Sequence, residues 1–226
     1  DINVDAATAP GIPVTTIPSA LLDDPTADLA WALLMAVARR VAESDRKARA
    51  GIVPGSQSMY YVGSDVSGRT LGILGAGGVG REMARRALGF KMPVLYHDPR
   101  RLDADVERSL NMTWTSFDAV LRRSDVVSLH VALSPRTRHL VDARALSLMQ
   151  PHAFLINTSR GPIVDEQALI EALEARRIRG AGLDVFETEP DIDPRLLAAA
   201  NVVVTAHMGS ATLRVGSAMA QQGADN

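Results

Sequence analysis

The sequence predicts an α/β protein built on a doubly wound parallel sheet, and three observations carry that prediction. Short apolar or β-branched runs recur from Thr70 onward without the polar alternation of a half-exposed strand. Stretches with helical spacing separate them. The first run ends in four glycines within positions 75–80, directly ahead of a helical stretch. Strands that show no alternation and are separated by helices belong to a parallel sheet covered on both faces.

Residues 1–24, with Pro10, Gly11, Pro13 and Pro18, read as a short strand with irregular connections. Asp24 or Thr26 then caps a long helix that has Pro25 at its start and runs to about Arg49. Within it, Leu29–Ala38 has no polar face. It is therefore expected to be buried on all sides, by a partner subunit or by a missing part of the same chain. Residues 51–68, rich in Gly, Ser and Tyr, form a long loop leading to the sheet. Six strands are expected at Thr70–Leu74, Pro93–His97, Val126–Val131, Ala153–Asn157, Ala181–Val185 and Val202–Thr205. Helices are expected between them at Val79–Phe90, Phe117–Arg123, Asp142–Met149, Asp165–Arg177 and Pro194–Ala200. Six such strands suit the spatial order 3-2-1-4-5-6.

Composition narrows the functional classes. The chain has 226 residues, 46% hydrophobic and 22% charged, which is ordinary for a soluble globular protein of one large or two modest domains. A formal charge of −2 gives no electrostatic case for nucleic acid or an anionic membrane as partner. With no cysteine, disulfides, thiolate nucleophiles and Cys-ligated zinc are excluded, and no metal site is expected. Leu29–Ala38, the longest uncharged apolar run, is half of what a membrane span needs. No basic stretch followed by an apolar one opens the chain, so a cytoplasmic location is expected. The first residue is Asp1 and the opening is already mid-pattern, which predicts a fragment or a processed chain.

Gly75, Gly77 and Gly80 form G-x-G-x-x-G between a strand and a helix. The first glycine permits a tight turn, the second lets a pyrophosphate approach the backbone, and the third lets helix and strand pack closely. The pyrophosphate then meets the N–H groups and positive dipole of the helix that begins near Val79. Asp98 ends the second strand 18 residues past Gly80, near the spacing of a carboxylate that takes the adenosine ribose hydroxyls. Strand, glycines, helix, strand and acid together predict a dinucleotide site on a Rossmann sheet. Asp98 repels a 2′-phosphate and so favours NAD, while Arg100 and Arg101 beside it leave NADP open.

The redox chemistry is narrowed by elimination. The lysines are Lys47 and Lys91, and neither lies four residues after a tyrosine, so the Tyr-x-x-x-Lys of short-chain dehydrogenases is missing. What remains is His, Arg and carboxylate near the C-terminal ends of late strands, where open α/β sheets place their ligands. Three segments stand there: "NTSRGPIVDEQAL" at 157–169, "GLDVFETEP" at 182–190 and "VVVTAHMGSAT" at 202–212.

Together with "LGILGAGGVGREMARRALGF" at 71–90 and "SDVVSLHVALSPRTRHLV" at 124–141, these segments resemble the D-isomer-specific 2-hydroxyacid dehydrogenases over essentially the whole chain. That group includes glyoxylate/hydroxypyruvate reductases. The resemblance implies that Arg160 binds the substrate carboxylate and that Glu189 and His207 complete a catalytic trio. It implies contacts to the dinucleotide from Gly75, Gly77, Gly78, Val79, Gly80, Asp98, Pro99, His130, Thr137, Thr158, Ser159, Asp184 and Gly209. Among these, Asp184 faces the nicotinamide carboxamide and Thr158 lines its pocket. The partner expected is a small 2-oxoacid or D-2-hydroxyacid, in a homodimer of NAD-dependent subunits.

The chemistry suits those roles. Reducing a 2-oxoacid needs a hydride at carbon and a proton at oxygen, and histidine can supply a proton near neutrality. A carboxylate bonded to the imidazolium stabilises it and holds the ring. Arginine grips a planar carboxylate through two parallel bonds. His139 and His152 read as surface or capping residues, and His97 as a flank of the adenosine pocket. Asp165 with Glu166 suits a helix start, and Arg176, Arg177 and Arg179 a solvated helix end.

The sequence also departs from the family pattern. Ala132 and Ala206 stand where proline is usual, and "PGSQSMYY" at 54–61 replaces a tryptophan-containing stretch. Asp1–Asp5 resembles the sequence just after the family's flavodoxin-like lid. The expected division is therefore a lid remnant at 1–24, a Rossmann domain at 25–213 with its dimerisation helix, and at 214–226 the start of a helix returning to the lid. A dinucleotide-binding regulator of corepressor type, or an inactive cofactor-binding fragment, stands as the alternative function.

Overall fold

The computed structural model describes residues 4–12, 14, 20–55 and 59–225. Its centre is a parallel sheet of seven strands in the order β3-β2-β1-β4-β5-β6-β7. The strands are β1 (Leu71–Leu74), β2 (Val94–His97), β3 (Met112–Trp114), β4 (Val126–Leu129), β5 (Phe154–Asn157), β6 (Gly180–Leu183) and β7 (Val202–Val204). In β1, β4, β5 and β6 every residue is buried, which is why they read as unbroken apolar runs.

Successive strand residues feed two cores. Leu71, Ile73, Val94, Tyr96, Val126, Phe154 and Ile156 face one core, shared with α2 (Ala20–Ala38) and α4 (Gly78–Gly89). Leu74, Leu95, Val127, Leu129, Leu155 and Leu183 face the other, covered by α6 (Phe117–Arg123), α7 (Ala143–Leu148), α8 (Glu166–Glu174) and α9 (Pro194–Ala198). The remaining helices are α1 (Val4–Thr8), α3 (Val41–Arg49), α5 (Ala104–Ser109) and the C-terminal α10 (Leu213–Asp225).

Three expectations are corrected. The third expected strand, Val126–Val131, does not take the outer place beyond β2. It is β4 and pairs with β1 in register Leu71↔Val126. The outer place belongs to β3, a strand absent from the expected set, which follows the equally unexpected α5. Second, Val4–Thr8 forms a helix that was not expected within 1–24, while residues 1–3, 13, 15–19 and 56–58, on which parts of the expected strand and loop fall, lie outside the described residues.

Third, the long helix begins at Ala20 rather than at a cap on Asp24 or Thr26, and it carries Pro25 inside it. It also ends at Ala38, and α3 restarts after Arg40 in the left-handed conformation at φ 55°. The break comes from tertiary packing. Ser64 N–H takes the carbonyl of Ala38 at 2.8 Å, so the 63–64 strand of chain lies where a further helical turn would go. Arg40 then turns its side chain onto Glu43 at 2.7 and 2.8 Å in the first turn of α3.

Within the described residues Leu29–Ala38 is covered from the sheet side, and the cover expected from a partner or a missing segment is left open. Ala30, Leu33, Leu34, Val37 and Ala38 are buried on the sheet, whereas Leu29, Trp31, Met35 and Ala36 are half-buried and Ala32 is exposed. The close seat of α2 depends on Gly182 in β6, where a β-carbon would press on Leu33 Cβ at 2.9 Å.

Candidate active site

The glycine loop leaves the C-terminal end of β1. Gly75 has φ +95°, and a β-carbon there would meet His130 O at 2.6 Å, so the turn requires glycine. A β-carbon at Gly80 would overlap the carbonyl of Gly75, so this glycine is demanded by the packing of α4 on the strand end. At Gly77 a β-carbon would meet nothing within 4 Å. The protein itself does not need a glycine there, and the open space above it fits a pyrophosphate against the first turn of α4. The space over Gly78 is filled differently, by the carboxylate of Asp23 from α2. Burial raises the Asp23 carboxyl above its ordinary value, although Arg81 opposes this. Asp23 was missed in the sequence, where nothing links it to a loop 55 residues away.

Asp98 stands at the end of β2, with Pro99 exposed beside it. Its Oδ2 accepts from Ala76 N–H at 2.9 Å and its Oδ1 from Arg100 N–H at 3.0 Å. The carboxylate is thereby anchored beside the glycine loop. At the end of β4, His130 Nε2 lies 2.8 Å from Ser128 Oγ, and burial pushes its imidazole down to about 3, so it is neutral. Thr137 turns its hydroxyl into its own loop, donating to Ala132 O at 2.6 Å and accepting from Ser134 N–H at 2.8 Å. This hydroxyl staple braces the loop in which Ala132 stands in place of the family's usual proline.

The loop after β5 carries Thr158, Ser159 and Arg160. Ser159 Oγ donates to Leu129 O at 2.7 Å, and Asn157 braces the loop from within, its Nδ2 donating to Arg160 O at 3.1 Å. The exposed Arg160 guanidinium donates to Ser159 O at 2.7 Å. Thr158 is buried, and its hydroxyl has no hydrogen-bond partner. A buried orphan hydroxyl is costly unless a further group meets it. Thr158 and the open cradle at Gly77 are the two observations that fit a bound dinucleotide.

Glu189 and His207 come together although 18 residues separate them. His207 Nδ1 lies 2.7 Å from Glu189 Oε2, and Phe186 N–H donates to Glu189 Oε1 at 2.9 Å. Burial raises the Glu189 carboxyl, but the His207 and Phe186 hydrogen bonds and the charges of His207 and Arg160 outweigh it, and the net shift is downward. The charge of Arg160 therefore reaches this pair. A β-carbon at Gly161 would overlap the carbonyl of Phe186, so the Arg160 loop and the Glu189 turn touch backbone to backbone.

His207 itself has φ 52°, and the loop holding it hangs on Asp184. This fully buried carboxylate accepts from Thr205 Oγ1 at 2.6 Å, Met208 N–H at 2.8 Å and Gly209 N–H at 2.8 Å. Thr205 was missed in the sequence because its partner lies on a neighbouring strand. Asp184→Ala leaves three part-buried donors without their acceptor and is expected to lower stability by about 2 kcal/mol, within the ~1–3 kcal/mol cost of unsatisfied partners. Urea unfolding checks it, and an unchanged midpoint would show that the loop does not depend on Asp184.

The remaining histidines are placed apart from this pair. His139 Nε2 contacts Glu187 Oε1 at 2.7 Å, joined by Arg138 at 3.1 Å. It fastens the 131–139 loop to the Glu189 turn, a larger role than capping. His97 Nδ1 lies 3.0 Å from Thr115 O, and His152 pairs with Asp125 at 2.7 Å. Asp165 caps α8 through Ala168 N–H at 3.0 Å. Among the described residues no group of acidic, histidine or cysteine side chains forms a metal centre.

Comparison with known proteins places this geometry. A family model described as D-isomer specific 2-hydroxyacid dehydrogenase, NAD binding domain, matches residues 31–209. The chain is 44% identical over 230 residues to a glyoxylate reductase of Thermococcus litoralis, covering 100% of this chain and 69% of that protein. A solved glyoxylate reductase from Paecilomyes thermophila superposes with a TM-score of 0.87 at 39% identity, over 97% of this chain and 65% of the other. An NADPH-dependent glyoxylate/hydroxypyruvate reductase from Sinorhizobium meliloti, solved with NADP and malonate, gives 0.89 at 33% identity, over 100% and 69%. With an NAD-binding domain matched from 31 to 209 and near relatives matched along its whole length, the chain belongs to the D-isomer specific 2-hydroxyacid dehydrogenase family.

Proposed function

We propose that this chain interconverts a 2-oxoacid and a D-2-hydroxyacid by hydride transfer with NAD(H), with Arg160, Glu189 and His207 as its catalytic residues. The observation that carries the reading is the 2.7 Å pair of His207 and Glu189 within reach of the charge of Arg160. When bound, the nicotinamide supplies the hydride to the carbonyl carbon. His207 gives the proton to the carbonyl oxygen and takes it back in the oxidation direction. Glu189 holds the ring by Nδ1 and fixes which nitrogen is left for the substrate. Arg160 holds the substrate carboxylate through its planar fork.

In this reading Gly75, Gly77, Gly78, Val79 and Gly80 seat the pyrophosphate and Asp98 with Pro99 the adenosine ribose. His130, Thr137, Thr158, Ser159, Asp184 and Gly209 border the nicotinamide end. Residues 25–213 form the cofactor half, and 1–24 and 214–226 lead to a substrate lid. A cytoplasmic location suits an enzyme that draws on the dinucleotide pool. Loss of NADH absorbance on addition of glyoxylate or hydroxypyruvate tests the activity. Dinucleotide binding without turnover of any 2-oxoacid would favour the regulatory alternative.

The reading includes a homodimer formed through α2, supported by Leu29, Trp31 and Met35, which pack at the margin of this chain's core and stay half-buried. Met35→Arg is expected to give a folded monomer in sedimentation analysis. Leu33 is 2% exposed within this chain, so a charge there would test folding alone. A native protein that sediments as a monomer at micromolar concentration removes the dimer.

A further inference from the structure

Two arginines follow Asp98, and the structure treats them in opposite ways. Arg101 is held by Glu107 on α5, Nε to Oε1 at 2.9 Å and a terminal nitrogen to Oε2 at 2.8 Å, as two parallel bonds. Glu107 is itself fixed, being 8% exposed, and the Tyr96 hydroxyl donates to its Oε1 at 2.7 Å. Tyr96 is fully buried on β2, two residues before Asp98, and its oxygen accepts from Leu102 N–H at 2.8 Å. The Arg101 fork and the Tyr96 hydroxyl hold the Glu107 carboxyl down at about 2. It is therefore charged at any working pH and keeps its cation. Arg100 carries no side-chain ion pair among the described residues, and its amide alone is engaged, on Asp98 Oδ1.

We infer that Glu107 determines dinucleotide selectivity, by withholding the guanidinium of Arg101 from the ribose edge that Asp98 marks. The inference rests on the proposed reading of Asp98 as the ribose carboxylate. A 2′-phosphate needs a guanidinium to replace its water and to balance the Asp98 charge. Arg101 lies three residues past Asp98 with its side chain 63% exposed, but leaving Glu107 would strand a buried carboxylate. One of two neighbouring cations is thus cancelled by the fold, and a site that looks basic in sequence stays selective for the unphosphorylated ribose.

Fluorescence titration of NADH and NADPH onto the unmodified protein and a set of variants tests this without any turnover. Glu107→Gln keeps an acceptor for the Tyr96 hydroxyl but loses the charge. It is expected to tighten NADPH about tenfold or more, the worth of one charge-assisted hydrogen bond, with NADH changed less than about twofold. Adding Arg101→Ala to Glu107→Gln abolishes that gain, whereas Arg101→Ala alone leaves NADPH binding unchanged. If Glu107→Gln fails to fold, Glu107→Asp serves, because the shorter side chain keeps its charge but cannot hold the whole fork. An unchanged NADPH-to-NADH ratio in the folded variant overturns the proposal. So does weaker NADPH binding by Arg101→Ala alone, since Arg101 would then already touch the phosphate. Asp98→Ala separates the two readings: if it leaves the ratio unaltered, the ribose assignment fails, whatever Glu107 does.

Discussion

Replacing His207 by alanine lowers kcat for 2-oxoacid reduction by about 10²–10⁴-fold, the usual worth of a placed general acid, and leaves NADH affinity within about twofold. Nδ1 is committed to Glu189 at 2.7 Å, which leaves Nε2 as the nitrogen free for the proposed proton transfer. Glu189 cannot rotate away, because Phe186 N–H holds its other oxygen at 2.9 Å. Glu189→Gln is the sharper version of the test. Glu189 lies below the ordinary carboxylate range, since the His207 and Phe186 bonds and the Arg160 charge outweigh its burial. Its carboxylate therefore persists to lower pH than an ordinary one. A neutral glutamine keeps the shape but loses the charge that meets Nδ1, so kcat falls by about 10–100-fold, the worth of a charge-assisted hydrogen bond, with NADH affinity within about twofold. A kcat that stays in place would uncouple Glu189 from His207 and end the role proposed for the pair.

Arg160→Lys lowers kcat/KM for the 2-oxoacid by about 10–100-fold or more, the worth of the charge-assisted bonds lost when an ammonium replaces a planar fork. One guanidinium nitrogen is already on Ser159 O at 2.7 Å, which orients the fork from behind. Lysine can satisfy that carbonyl or the substrate, and not both with parallel bonds. NADH titration should be unaffected, because the Thr158 and Gly77 surroundings are untouched. Steady-state kinetics with glyoxylate and hydroxypyruvate check this, and an unaltered kcat/KM would remove Arg160 from substrate binding.

How far the sequence revealed these features follows from where the physics is local. β1, β4, β5 and β6 were legible because both faces of a covered parallel strand must be apolar. β3 was not, because it is a three-residue edge strand with Thr113 and Trp114 exposed and no apolar run to see. The break between α2 and α3 falls on Arg39 and Arg40, ordinary helix formers, so no local signal marks it. It is made by Ser64 bonding to the Ala38 carbonyl.

The candidate site divides in the same way. The sequence by itself determined the glycine spacing, the acid 18 residues beyond it, and the segments that carry Arg160, Glu189 and His207, because each is a short motif at one strand end. Only the tertiary structure decided which groups meet. It set Asp23 over Gly78, hung the His207 loop on the buried Asp184, and placed Glu189 against His207. It also divided Arg100 from Arg101 by giving one a buried carboxylate. These are contacts between elements, fixed by where the sheet sets its strand ends and how closely helices pack on it. Such partners share no spacing that a linear pattern can record.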